Sequence, residues 1–217
     1  MNVVCSLLAV CLFVVLCDSC CVPKQWEALE GIVTGIDEHG RDNLEEGTVL
    51  VAYDAISQRF AADYKVYYGE KHYGGKIILD FARERQYIIS KGKCEIAILK
   101  DPFRESCIPG EIKPYVYTIG VGENIMELKS YQVDYAGIKA SISVTGNCVP
   151  VGEVLSGQVN GMNFLETIGY TNLTVGIRDE SVFEPPAICM GSLAQRMILG
   201  KLRDPIVSLR KHAILGA

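Results

Sequence analysis

The sequence is poor in the residues that catalysis and metal binding draw on. Its three histidines, His39, His72 and His212, stand in loop-like or tail contexts, where solvated polar residues are a better reading than a general base. No G-x-S-x-G elbow occurs. "GVGEN", Gly120 to Asn124, opens like a dinucleotide loop but has Ile125 where the third glycine belongs, so it reads as a turn. Cys94, Cys107, Cys148 and Cys189 lie too far apart for the paired spacing of structural zinc, and no histidine joins them. Nothing here proposes an enzyme, and no catalytic residue is assigned.

Long apolar runs are missing too. Val3 to Leu16 is too short for a bilayer span, which takes about 20 residues. Followed by the small and polar Cys17, Asp18 and Ser19, it has the layout of a signal peptide over residues 1–19, although no Lys or Arg precedes it. The chain also lacks a Pro/Ser/Gly-rich linker and an internal repeat, which leaves one domain over 20–189 and a tail over 190–217. Positive charge is scarce: the chain carries a net −5. After Cys189, five basic residues face Asp204 alone, so the tail is basic and the body eight negative. An acidic body excludes a nucleic-acid partner, whose phosphates need a basic face.

What is present is cysteine, nine in all and an even number past the signal segment. Past the signal segment remain Cys20, Cys21, Cys94, Cys107, Cys148 and Cys189, as an oxidised, extracellular framework requires. Cys20 and Cys21 are neighbours, with Cα atoms ~3.8 Å apart, closer than an unstrained disulfide spans, so each needs its own partner.

Short runs rich in Val, Ile, Tyr and Thr recur between polar turns such as "YDAISQ" and "ARER". Strands are expected over Trp26–Ile36, Arg59–Tyr68, Gln86–Ser90, Glu95–Lys100, Tyr115–Ile119, Met126–Tyr135, Lys139–Thr145, Glu153–Val159 and Asn172–Ile177. "TVLVAYD" puts Val49, Val51 and Tyr53 on one face, and "KIILDF" does the same with Ile77, Leu79 and Phe81. These six are the candidate lining of an apolar pocket, though inward apolar residues serve a filled core equally well. So many strands predict an antiparallel all-β domain of two packed sheets. Only the tail shows helical spacing, at Leu193, Met197 and Leu202, and Gly200 and Pro205 interrupt it.

Two further features bear on ligands. The acidic stretches Asp37 to Glu46 and Arg178 to Ser181 offer oxygens for calcium without EF-hand spacing, and solvated turns are the default reading. Asn172-Leu173-Thr174 is a glycosylation sequon, competent in a secreted chain.

"CCVPKQWE", "LVAYDAISQRF", "KDPFRESCIP", "NCVPVGE" and "GIRDESVFEPPAIC" occur in an order that resembles the ependymin family and spans Cys20 to Cys189. The resemblance implies a secreted, glycosylated, often dimeric protein without enzymatic activity. Its two curved antiparallel sheets would form a sandwich or half-barrel, similar to bacterial lipoprotein carriers, around a pocket for a lipid-like ligand. It also implies calcium-linked contact with the extracellular matrix. Carried over residue by residue, it pairs Cys20 with Cys148 and Cys94 with Cys189, leaving Cys21 and Cys107 for each other. The residues alone leave open which member of the doublet takes Cys148. Two functions compete: a carrier of a hydrophobic ligand, and a structural or adhesive matrix protein with a filled core.

Overall fold

The structure, a computed structural model, describes residues 19–190 apart from 38, 39, 41, 136 and 160, together with 195–196. The signal segment and nearly all of the basic tail therefore lie outside the described residues. The remainder is an all-β domain. The strands are β1 (Cys20–Cys21), β2 (Gln25–Asp37), β3 (Asp42–Asp54), β4 (Arg59–Tyr68), β5 (Lys71–Asp80), β6 (Arg85–Ser90), β7 (Lys93–Ile98) and β8 (Cys107–Ile108). They continue with β9 (Tyr115–Val121), β10 (Asn124–Tyr135), β11 (Ile138–Val144), β12 (Pro150–Val159), β13 (Met162–Val175) and β14 (Gln195–Arg196).

Two sheets form, of unequal size: a curved, open, twelve-stranded sheet and a two-stranded ribbon of β1 with β8. The large sheet is two meanders. β2 to β7 run hairpin to hairpin toward one edge, where β14 adds a short parallel pairing on β7. β9 to β13 return from the other edge, and β13 docks on β2, so early and late segments meet mid-sheet. Polar turns account for the hairpins: Asp54 accepts from the N–H groups of Ile56 and Ser57, and Asp80 from that of Arg83. "GVGEN" is likewise a turn between β9 and β10, with Gly122 at φ 61° where a side chain would be strained.

Alternation decides which side chains are buried. On β2, Trp26, Ala28, Glu30, Ile32 and Thr34 face inward, and on β4 Phe60, Ala62, Tyr64 and Val66 do so. With Val49, Val51, Tyr53, Ile77, Leu79, Phe81, Leu155, Phe164 and Ile168 the apolar residues among them form the main core, with Glu30 and Thr34 buried as polar groups. The opposite face of β3 to β7 is covered by the C-terminal segment, where Phe183 and Cys189 pack on Ala52, Ala61, Ile78 and Tyr87.

Gly47 sits where β3 and β4 approach closely. A Cβ there would lie 2.4 Å from the Lys65 carbonyl oxygen and 3.0 Å from the Val66 Cα, and backbone cannot yield. Gly47→Ala is expected to destabilise the domain by roughly 1–3 kcal/mol, read as a lower urea midpoint at unchanged slope.

Three bridges hold these layers: Cys20–Cys148, Cys21–Cys107 and Cys94–Cys189. They are the pairs that the resemblance implies. The ribbon register sets Cys21 opposite Cys107 and Cys20 opposite Ile108, which is why the doublet divides this way round.

Candidate functional site

The chain from Leu99 to Pro114 connects the two edges of the large sheet and runs as a strap over its inner face. It is held on one side by Cys21–Cys107 and by the Val22 N–H donating to the Ser106 carbonyl at 3.0 Å. The Ser106 N–H donates to the Tyr53 hydroxyl at 3.1 Å, and Lys24 pairs with Glu105 at 2.5 Å on the surface. Burial pushes the Tyr53 hydroxyl above the usual phenol range, and the Glu105 charge adds to this against the Ser106 N–H. Phe103 hangs from the strap onto the sheet: its ring stacks on Tyr53 at 6.2 Å and meets Phe81 edge-on at 5.4 Å.

The six candidate lining residues are thus brought together, all between 0% and 8% exposed, in one packed cluster under Phe103. Phe81 is reached from the turn after β5 rather than from the strand itself. The open space lies next to them. A cleft of about 50 Å³ separates the disulfide ribbon from β2, β12 and β13. Trp26, Tyr53, Ile108, Val144, Tyr170 and Glu153 are among the residues that line it. Glu153 accepts from the Tyr170 hydroxyl at 2.8 Å, and Tyr170 meets Trp26 edge-on at 5.9 Å. The Trp26 indole N–H is buried beside the cleft with no hydrogen-bond acceptor among the described residues.

Sequence reasoning placed Trp26 at the head of a strand but not at a cleft, because periodicity fixes a face and not what stands opposite it. Phe103 carried no signal at all, since the strap has no period. Tyr170 was missed with the first ten residues of β13, where Glu166 faces inward and breaks the apolar alternation. That carboxylate accepts from the Thr34 hydroxyl at 2.8 Å across the β13–β2 pair.

The candidate calcium stretches are not drawn together. Asp37 to Glu46 is the β2–β3 hairpin end, and Asp37 accepts from the Gly40 N–H at 2.8 Å. In the other stretch Asp179 caps the 3-10 turn Glu180–Phe183 by accepting from the Ser181 N–H, which holds its carboxyl below the usual range. Glu180 accepts from Arg59 at 2.6 Å. Asp37, Asp179 and Glu180 each accept from the protein's own donors. Among the described residues no group of three or more His, Cys, Asp or Glu could hold a metal ion, and no helix is long and apolar enough to cross a membrane. Asn172 is exposed, at φ 52°, where the β13–β2 register shifts between Thr171 and Thr174.

The sequence model of the ependymin family matches residues 69–189. Ependymin-related protein 2 of Haliotis asinina is 28% identical over 190 residues, covering 79% of this chain and 89% of that protein. Among solved structures, an uncharacterized conserved protein from Thermus thermophilus aligns with a TM-score of 0.44 at 8% identity, over 81% of this chain and 90% of that one. A beta-barrel-like protein of a domain of unknown function from Brucella abortus aligns at 0.29 and 7% identity, over 72% of this chain and all of that one.

Proposed function

Because the chain belongs to the ependymin family, we propose that it is a secreted, non-enzymatic glycoprotein that holds a lipid-like ligand between its disulfide ribbon and the inner face of its large sheet. The observation that supports this reading is the cleft, whose walls are largely apolar and aromatic and so suit an acyl chain. Binding draws on hydrophobic transfer, about 25 cal/mol per Å² of acyl surface removed from water, and needs no catalytic group. The glycan would stand at Asn172, on a face of β13 that is open to solvent.

A second reading follows from the packing of Val49, Val51, Tyr53, Ile77, Leu79 and Phe81. Their burial under Phe103 suits a filled core, and hence a structural or adhesive matrix protein.

One titration separates the two. Trp26 is the only tryptophan, so quenching by a brominated fatty acid reports contact at the cleft. The carrier reading expects saturable quenching and lipid retained through purification. No quenching and no retained lipid overturn it. Leu79→Ala is the companion: in a packed core it costs roughly 2–5 kcal/mol, whereas beside a ligand chamber it costs less and shifts the preferred chain length.

A further inference from the structure

The cleft beside the disulfide ribbon is too small for the ligand that the carrier reading asks of it. It holds about 50 Å³, whereas pockets for drug-sized ligands begin at roughly 300 Å³. Room for an acyl chain therefore requires that one wall move. The sheet wall is held fast, since long ladders join β2 to β13 and β13 to β12. The other wall belongs to the strap, through Ser106, Cys107 and Ile108. Its strand β8 pairs with β1 and not with the large sheet. Tyr53 lines the cleft and also carries Phe103, so lifting the strap would merge the cleft with the space over the apolar cluster.

The covalent fastening of the strap is Cys21–Cys107. Around it stand two hydrogen bonds of the Ser106 backbone and the Lys24–Glu105 pair on the surface. This bridge is also the most open of the three. Cys94, Cys189 and Cys20 are 2%, 4% and 7% exposed, so each of the other two has a buried end, whereas Cys21 and Cys107 are both half-buried. Thiol–disulfide exchange needs access to a sulfur, and the accessible bridge is the labile one. Cys20–Cys148 keeps β1 tied to the chain ahead of β12 when its neighbour opens.

We propose that Cys21–Cys107 is a reversible redox site, whose reduction by an extracellular dithiol oxidoreductase frees the strap and opens the inner face to an acyl chain. One thiolate of the dithiol attacks a bridge sulfur, and the other cysteine leaves as a thiolate. The second thiol of the dithiol then resolves the mixed disulfide. Two electrons and two protons pass to Cys21 and Cys107, and the dithiol ends as a disulfide. The gating rests on the carrier reading; the redox site does not.

Limiting dithiothreitol on the oxidised chain, an iodoacetamide trap and peptide mapping test the site. Cys107 is expected to be alkylated first, together with one member of the doublet. It is the reporter, because a freed Cys21 thiolate can trade places with Cys20 on Cys148. Amide exchange over residues 99–114 should quicken about tenfold in the trapped form while β2 to β6 stay protected. Cys21→Ser with Cys107→Ser should reproduce this without reductant, and the trapped wild type decides if that variant fails to fold. In the open form a brominated fatty acid should quench Trp26 with an association rate about tenfold above that of the oxidised chain. Alkylation of Cys94, Cys148 or Cys189 before Cys107 overturns the redox site, and strap exchange unchanged by reduction overturns the release. Release with equal quenching rates overturns the gating. Quenching in neither state counts against the carrier reading alone, and the redox site then stands or falls on alkylation and exchange.

Discussion

Asp54→Ala is expected to destabilise the domain by roughly 3–5 kcal/mol, as when one partner of a buried ion pair is removed. The Asp54 carboxylate is fully buried at the end of β3 and accepts from Arg59 at 2.6 Å and from the N–H groups of Ile56 and Ser57. Arg59 is shared: the same nitrogen donates to Glu180 at 2.6 Å, and its guanidinium lies 4.3 Å over the Phe183 ring. The substitution therefore opens a turn, orphans two backbone donors and loosens the C-terminal segment on the outer face. Burial alone would raise the Asp54 carboxyl, but Arg59 and Ser57 outweigh it and hold it below the usual range. A carboxyl depressed in the folded state stabilises above its unfolded value, about 3.9, and the benefit is lost as pH falls through the folded value. The stability gap between wild type and Asp54→Asn should thus be constant at neutral pH and close below about pH 4. Urea titrations at stepped pH measure it. A gap that widens in acid would contradict the assignment.

The second large effect is expected at the cysteine doublet. Cys20–Cys148 spans 128 residues and Cys21–Cys107 spans 86, but the two loops are nested. Once Cys21–Cys107 has formed, closing Cys20–Cys148 restricts only the chain beyond Cys107, about 40 residues, and contributes about 4 kcal/mol in the chain-entropy model. Replacing either pair by alanines should cost up to that amount. Replacing both should cost more than the sum, because each remaining bridge would otherwise hold the longer loop. Against a usual total of about 5–15 kcal/mol, the domain without both is expected to be unfolded at body temperature. Calorimetry of the two pairwise variants and their combination would show it. Strict additivity would mean that the ribbon does not act as one tie.

Much of this architecture was legible because alternation is a local signal. β4 falls on Arg59–Tyr68 as expected, and the turns after Asp54 and Phe81 are where polar residues placed them. The misses share a cause. Asp42 to Gly47 and Lys71 to Gly75 read as turn because they are polar or glycine-rich, yet they extend β3 and β5, since a long neighbour supplies hydrogen-bond partners regardless of side chain. Most of β13 was hidden by Glu166, an acid on an inward position that only its cross-strand partner Thr34 makes tolerable. The candidate site was less legible still. Val49, Val51, Tyr53, Ile77, Leu79 and Phe81 could be assigned to one face, but whether that face meets a strap or a ligand depends on residues 99–114, whose path no local pattern encodes.

The pairing of β2 with β13 also sets the order of events during synthesis. Trp26 lies against Val175 and Asp37 against Asn163, so the second strand to leave the ribosome waits for nearly the last. At about 5–20 residues per second that wait is roughly 7–30 s. For this interval the β2-to-β7 meander exists with one flank of β2 open, and the sheet cannot be completed from either end alone. Cys107 emerges ahead of Cys148 and meets two adjacent thiols, while Cys94, already made, waits for Cys189. Time of arrival cannot tell Cys20 from Cys21; the short β1–β8 register can, by setting Cys21 across from Cys107 and leaving Cys20 for the later arrival. Two residue pairs of ribbon thereby sort the two thiols of the doublet between their partners.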